Sequence, residues 1–167
     1  MNWEAIAAVG ELAGAAGVIA TLLYLSVQIR QNTRATRAAT LNAVTEAHHR
    51  ELRWSSDISG PMRKAIHRPD ELSEDDTHKV TEWWTASFMA RENEFGQFRE
   101  GLLEPAKWAQ SEMIVRLSGG IPWVGTWWSE YGRHLYTPDF VAWVDKTMAG
   151  GTFDAAAAIK KLEGGSA

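Results

Sequence analysis

The sequence predicts an all-α protein in which one N-terminal transmembrane helix continues as a long rod into a cytoplasmic helical bundle. Three observations lead to this fold class. An apolar run extends from Ala5 to Tyr24, and no Gly or Pro interrupts the chain from Gln28 to Trp54. The remaining sequence lacks the two-residue alternation and the Asn-Gly or Asp-Gly turns that mark β-hairpins. The predicted organisation is a transmembrane helix at residues 1–29, a helical cytoplasmic domain at 30–163 and a flexible tail at 164–167.

The apolar run has the length and the flanks of a membrane span. About 20 helical residues cross the hydrocarbon core of a bilayer, which is about 30 Å thick. Trp3 and Tyr24 bracket the run at positions where interfacial aromatic residues are found. Arg30, Arg34 and Arg37 follow, so the positive-inside rule predicts that the amino terminus lies outside and the carboxyl-terminal domain in the cytoplasm. A buried helix of a soluble bundle stays open as the alternative, because the run is rich in Ala and Gly and contains a carboxylate.

Small residues within this run predict a contact between helices. Gly10 and Gly14 form a G-x-x-x-G pair, and Gly17 continues the small-residue spacing that lets two helix backbones approach closely in lipid. Glu11 lies at the edge of the same face, and a carboxylate at membrane depth is costly unless it faces protein or water. We therefore predict that these four residues lie at a helix–helix interface. Two alternatives stay open for Glu11: a ring of carboxylates that lines an ion or proton path, and a position near the outer headgroups.

Charge is distributed unevenly along the chain. Residues 30–68 contain eight basic and three acidic residues, although the whole chain has a formal net charge of −4. Because a basic segment after an apolar run favours the anionic face of a membrane, Arg30, Arg34 and Arg37 are predicted to lie at the membrane surface. No aromatic-interleaved or Gly-rich pattern accompanies these bases, which argues against nucleic acid as a partner. The absence of cysteine excludes disulfides and thiolate sites, and no cofactor is predicted.

Capping residues, Gly and Pro divide the rest of the chain into helices. Ser73, followed by three acidic residues, predicts a helix N-terminus, and that helix is expected to run to about Leu103. Pro105 and Pro138 suit first-turn positions, the latter after Thr137 as N-cap. The predicted breaks are Ser59-Gly60-Pro61, Arg68-Pro69, Gly119-Gly120 and Gly150-Gly151, and a short tail helix is expected from Ala155 to Leu162.

The helix after Ser73 carries an apolar stripe that one arginine interrupts. The stripe consists of Val80, Trp84, Phe88, Phe95, Phe98 and Leu102. Arg91 falls in its middle, and a core-facing guanidinium needs a carboxylate partner. Glu92 and Glu94 are expected to point sideways, so the predicted partner in a buried ion pair is Glu46 or Glu51 of another helix. An anion-binding role for Arg91 is the alternative.

The segment Glu46-Ala47-His48-His49 contains Glu-x-x-His, which is half of the motif of di-iron carboxylate bundles. A complete site needs a second copy and further glutamates, whereas Asp75 and His78 form an imperfect copy. The ligands of this alternative metal site would be Glu46, His49 and Glu92. No Ser-His-Asp arrangement, P-loop or dinucleotide-binding glycine motif is present, so no catalytic residue is predicted.

Two stretches of the chain contain sequence motifs that can be compared with those of known protein families. The first is the apolar helix ending LLYLSVQIRQNTRATRA, and the second is ENEFGQFREGLLEPAKW, followed after a gap by WWSEYGRHLYTPDFVAWVD. The positions that carry the second part are Glu94, Phe98, Gly101, Leu102, Leu103, Trp108, Trp128, Arg133, Pro138 and Phe140. In both stretches the chain resembles a widespread family of small bacterial proteins that have no assigned activity. The resemblance implies a helical protein anchored in a bacterial inner membrane, and it transfers no catalytic residue.

The expected function is therefore assembly rather than catalysis. The chain is predicted to be a single-pass membrane protein that partners the lipid bilayer and either itself, as a homo-oligomer, or a larger membrane complex. A helical-bundle metal-binding protein or enzyme, built on the Glu-x-x-His segment, is the first alternative. A small oligomeric ion or proton channel through Glu11 is the second.

Overall fold

A computed structural model describes residues 2–150, and every regular element in that range is helical, which confirms the predicted all-α class. The α-helices are α1 (Trp3–Asp57), α2 (Ser59–His67), α3 (Glu74–Arg99), α4 (Pro105–Ser118), α5 (Pro122–Glu130) and α6 (Pro138–Ala149). Two short 3-10 helices, Pro69–Glu71 and Gly132–Leu135, connect neighbouring elements. The tail helix expected at 155–162 and the tail at 164–167 lie outside the described residues.

The chain divides into two compact units within α1. The first unit ends at Thr40 and the second begins at Leu41. Helix α1 has 55 residues and ends at Asp57, so the predicted continuation of the first helix to about Trp54 is confirmed. The first unit is formed by the N-terminal part of α1, and the second contains the C-terminal part of α1 together with α2–α6.

The first unit contains a helical segment that is long and apolar enough to cross a membrane by length and composition. A core helix of a soluble protein passes the same test, but none of this apolar window is buried in the structure. Thr21, a polar residue within the segment, donates its hydroxyl hydrogen to the carbonyl oxygen of Gly17 at 2.9 Å. The hydroxyl is therefore satisfied by its own helix.

Helix α3 begins where the sequence predicts and ends earlier. The Ser73 hydroxyl accepts a hydrogen bond from the backbone N–H of Asp76 at 3.1 Å, which caps the first turn. The helix closes at Arg99 rather than near Leu103, because Gly101 has a φ of +72° and turns the chain into the left-handed region. The N–H groups of Gly101 and Leu102 then bond to carbonyls of the last turn at 3.0 and 2.9 Å. This closure is a Schellman motif, for which glycine is the favoured residue.

Proline occupies the first position of α4, α5 and α6, which confirms the predicted positions of Pro105 and Pro138. Thr137 stands at the N-cap of α6, but its side chain makes no capping bond to that helix. Instead, the backbone N–H and the hydroxyl of Thr137 both donate to Glu92 Oε1 at 2.7 Å. The expected cap is therefore replaced by a tertiary bond that ties the start of α6 to α3.

The core of the second unit is largely aromatic. Phe88 of α3 is fully buried and lies 5.4 Å from Trp127 and 5.2 Å from Trp128, measured between ring centroids. A smaller cluster joins Val44 of α1 to Leu103 and Trp108. The predicted stripe of α3 is thus buried at Val80, Trp84 and Phe88, and the C-terminal part of α1 belongs to the same packed unit.

Candidate functional site

A buried ionic network lies in the second unit between α1, α3 and α4. Arg91 is fully buried, and its Nη2 donates to Glu51 Oε2 at 2.9 Å. Glu51 belongs to α1 and is one of the two predicted partners. The same guanidinium nitrogen lies 3.2 Å from Glu94 Oε1 on its own helix. The expectation that Glu94 points sideways is wrong, because its side chain turns into the core and is 3% exposed.

Glu94 is the centre of this network. His48 of α1 lies with Nε2 2.9 Å from Glu94 Oε1, and the Ser111 hydroxyl of α4 donates to Oε2. Burial alone would raise the pKa of Glu94, but the hydrogen bond with His48, the Arg91 charge and the Ser111 hydroxyl together hold that pKa below its usual range. Glu94 is thus ionised at neutral pH, and an ionised carboxylate accepts hydrogen bonds, so the facing His48 nitrogen carries a proton.

Several polar atoms around the network have no hydrogen-bond partner among residues 2–150. They are Glu51 Oε1, Arg91 Nε, Arg91 Nη1, Ser87 Oγ and Trp84 Nε1. Unpaired buried polar atoms are uncommon in folded proteins and are costly to keep.

A cavity of about 400 Å³ adjoins the network, and we call it the Glu51 cavity. Its polar walls are His48, Glu51 and Ser55, and its apolar walls are Leu52, Met62, Ile66, Trp83, Trp84, Ile114 and Ile121. Helices α1 to α4 all contribute side chains. An apolar cavity with few polar groups is typical of small-molecule binding sites.

The residues of the alternative metal site are not brought together. Glu46 is exposed and pairs with Arg50 at 3.2 Å, and His49 is exposed on α1. Glu92 binds Thr137 instead, as described above. Across residues 2–150, no three His, Asp or Glu side chains form a group that could hold a metal ion. The Glu-x-x-His spacing failed as a guide because its acid faces solvent, while the neighbouring His48 faces the core.

The small residues predicted at an interface all lie on the exposed surface of α1. A Cβ atom built on Gly10, Gly14 or Gly17 would meet no atom within 4 Å. Glu11 beside them is also exposed. The structure therefore gives these glycines no packing role among the described residues.

The basic residues after the apolar segment form a stripe. Arg30, Arg34 and Arg37 are exposed and helical. Their spacing of four and then three residues places them on one face of α1. The spacing of the three arginines is visible in the sequence. Because the structure shows that this segment is helical, the three side chains share one face of α1.

Three members of the ionic network were missed by the sequence analysis: His48, Glu94 and Ser111. Glu94 follows Arg91 by three residues, which is a spacing that brings two side chains together on a helix. That signal was present in the sequence. No comparable signal existed for Ser111, because its role depends on how α4 packs against α3.

Comparisons of the chain with protein-family models, with curated proteins and with solved structures found no match. No residue role is therefore transferred from another protein. The resemblance described above remains an expectation, and function has to be inferred from the geometry of this chain.

Proposed function

We propose that this protein is a single-pass membrane protein that assembles through its N-terminal helix, with a helical domain on the cytoplasmic side. The observation that carries the proposal is the apolar window of α1, which has no buried residue. The side chains of Leu12, Leu22 and Leu23 are 72%, 61% and 64% exposed. So much continuous apolar surface is unfavourable in water and favourable in lipid.

The residues that flank the apolar segment also favour a position in a lipid bilayer. Trp3 and Tyr24 are 69% and 67% exposed, so both rings are free to lie at the headgroup level. The Arg30, Arg34 and Arg37 stripe follows on one helical face. Each base near an anionic leaflet contributes on the order of 1 kcal/mol to membrane binding. The stripe therefore favours an orientation with the amino terminus outside and the second unit in the cytoplasm of a bacterial cell.

Self-assembly is supported by the unused small-residue face. Gly10, Gly14 and Gly17 have open space around them, so intramolecular packing does not require them to be small. A second copy of the helix would use this property, because close backbone approach drives association in lipid. The result would be a homo-oligomer with Glu11 at the edge of the contact. An accessory role in a larger membrane complex would use the same face.

Membrane extraction followed by mass measurement tests this function. The full chain, expressed in bacteria, should remain in the membrane pellet after an alkaline carbonate wash. After gentle detergent extraction, light scattering with detergent correction should give a multiple of the chain mass of 18.6 kDa. Release by carbonate would contradict the membrane anchor. A particle of single-chain mass in both detergent and lipid discs would contradict self-assembly.

A further inference from the structure

We propose that a second cavity, which we call the Trp123 cavity, binds a small organic cation that carries a methylated ammonium group. The cavity has a volume of about 560 Å³ and is lined by α3, α5 and the 3-10 helix Pro69–Glu71. This inference assigns a ligand to the second unit and depends neither on the membrane anchor nor on oligomer formation. It rests on the accessibility of the cavity, on the sign of its charge and on its aromatic walls.

Helix α5 forms one long wall of the Trp123 cavity, and this wall is open to solvent. Pro122, Thr126 and Glu130 line the cavity, and their spacing of four residues places them on one face of the helix. Thr126 and Glu130 are exposed, and Tyr131, which also lines the cavity, is 51% exposed. A ligand therefore reaches these residues from solvent without any opening of the core.

The charged walls of the Trp123 cavity are acidic. Asp70 and Glu130 line it, and no Lys, Arg or His among residues 2–150 does so. Glu71, the neighbour of Asp70, pairs with Arg68 at 3.1 Å, whereas Asp70 and Glu130 form no ion pair in the described part of the chain. Glu130 also ends α5, whose last turn contains no base, and a helix C-terminus favours positive charge. The cavity thus selects a cation.

The aromatic walls select the kind of cation. Trp123, Trp127 and Tyr131 line the cavity, and indole and phenol rings attract cations, including quaternary ammonium groups. A primary ammonium is strongly hydrated, and its ion pairs with exposed carboxylates are weak. A trimethylammonium group has no N–H to remove from water and presents methyl groups to apolar walls. The combination of aromatic residues with two carboxylates therefore favours the methylated cation.

Binding of matched probes tests this proposal. The full chain is kept in a maltoside detergent, because phosphocholine lipids and detergents would themselves supply the ligand group. Saturation-transfer NMR titrations follow choline, ethanolamine and 3,3-dimethylbutan-1-ol, in which carbon replaces the choline nitrogen, and signals from protein-free micelles are subtracted. We expect saturable binding of choline, about tenfold tighter than binding of the neutral isostere or of ethanolamine, as expected when exposed cation–π and charge contributions combine.

A fourth probe distinguishes the two sources of a trimethylammonium group, which are a free solute and a lipid headgroup. Glycerophosphocholine carries a phosphate two carbons from the ammonium. That phosphate would lie near Asp70 and Glu130 and be repelled, so we expect weaker binding than for choline. An affinity equal to that of choline or higher would assign the group to a lipid headgroup.

Variants at exposed positions locate the site. Glu130→Gln and Tyr131→Leu should each lower the affinity for choline about two- to fivefold and leave that for the isostere unchanged. Thr126→Arg places a cation in the cavity and should abolish saturable binding. The matched controls are Glu100→Gln and Ser129→Arg, because both residues are exposed and neither lines the cavity; they should bind choline like the wild type.

Four results would overturn the proposal. The first is an absence of saturable choline binding. The second is equal affinity for choline and its neutral isostere, which would reject the role of charge. The third is equal affinity for choline and ethanolamine, which would reject selection of the methylated group. The fourth is choline binding that survives Thr126→Arg as well as it survives Ser129→Arg, which would place the binding outside this cavity.

Discussion

Arg91 is the largest of the fully buried side chains, and its removal would leave two carboxylates without their cation. Breaking a buried ion pair by deleting one partner typically costs about 3–5 kcal/mol. We therefore expect Arg91→Ala to lower the free energy of unfolding by that amount, measured by chemical denaturation of the full chain in detergent. Arg50→Ala is the control, because its pair with Glu46 is exposed; it should cost less than about 1 kcal/mol. Equal losses in the two variants would contradict a buried role for Arg91.

Glu94 makes stability depend on pH in the acidic range. Its pKa is lower in the folded protein than the ordinary value of 4.5, so the unfolded chain takes up this proton first as the pH falls. The stabilisation is complete above pH 4.5 and is lost as the pH drops toward the folded pKa. Unfolding curves from neutral pH downward should show a loss of stability below this point. Glu94→Gln should reduce the slope, and an unchanged slope would mean that other carboxylates determine it.

A substitution at Trp127 tests how much the aromatic core contributes to stability. It is 6% exposed and packs against Phe88 with ring centroids 5.4 Å apart. Removing a buried aromatic side chain typically costs about 3–5 kcal/mol, so Trp127→Ala should lower the free energy of unfolding by that amount. Trp3→Ala is the matched control, because Trp3 is 69% exposed and its loss should leave the unfolding midpoint unchanged. A loss below about 1 kcal/mol at Trp127 would contradict its core position.

Among the elements, predictions that depend on local sequence were the accurate ones. Ser73 starts α3 because a hydroxyl followed by acids suits a helix N-terminus in any context. The end of α3 was misplaced because the apolar pattern continues to Leu102, while the left-handed turn at Gly101 ends the helix. Thr137 stands at the predicted N-cap position, but its hydroxyl donates to Glu92 of another helix instead of capping α6. Local chemistry sets such propensities, and tertiary contacts decide which of them is used.

The residues of the site also divide into those predictable from local sequence and those whose role depends on tertiary packing. The position of Arg91 on the apolar face was readable from helical periodicity, and so was its need for an acid. Its choice of Glu51 over Glu46 depends on which side of α1 faces α3, and this is fixed only by packing. The Glu51 cavity was not predictable at all, since residues from four helices and one loop position form it.

The small-residue face of α1 gives a prediction about association. A Cβ atom built on Gly14 meets no atom within 4 Å, so a larger side chain has room at this position of the monomer. Gly14→Leu should therefore leave the helix intact and weaken self-assembly, by more than the roughly 1–2 kcal/mol expected for Glu11→Leu. Glu11→Gln should keep the oligomer. Ala8→Leu, on the opposite face of the helix, is the control.

Energy transfer between labelled chains in lipid discs, measured across a dilution series, would give these free energies. An oligomer unaffected by Gly14→Leu would contradict the proposed contact. If Glu11→Gln instead keeps the oligomer but abolishes a measured ion flux, the channel alternative would replace simple packing.

At the scale of the whole molecule, the arginine stripe predicts the orientation of the proposed membrane anchor. A tag after the last residue should be degraded by protease added to inside-out vesicles and protected in intact cells. Replacing Arg30, Arg34 and Arg37 together with Gln should produce a mixture of orientations, because the charge bias would be weakened. A tag protected in inside-out vesicles of the unaltered protein would contradict the proposed topology.

Arg91 and Glu51 are separated by 40 residues, and His48 and Glu94 by 46. A ribosome adding about 5–20 residues per second needs roughly 2–9 s to make that much chain. During this interval Glu51 and His48 have been synthesised, but the partners that bury them do not yet exist. The apolar segment, in contrast, is already complete and needs no later residue. In the proposed topology, membrane insertion therefore precedes folding of the second unit, and each new chain is tethered to the bilayer before its core can close.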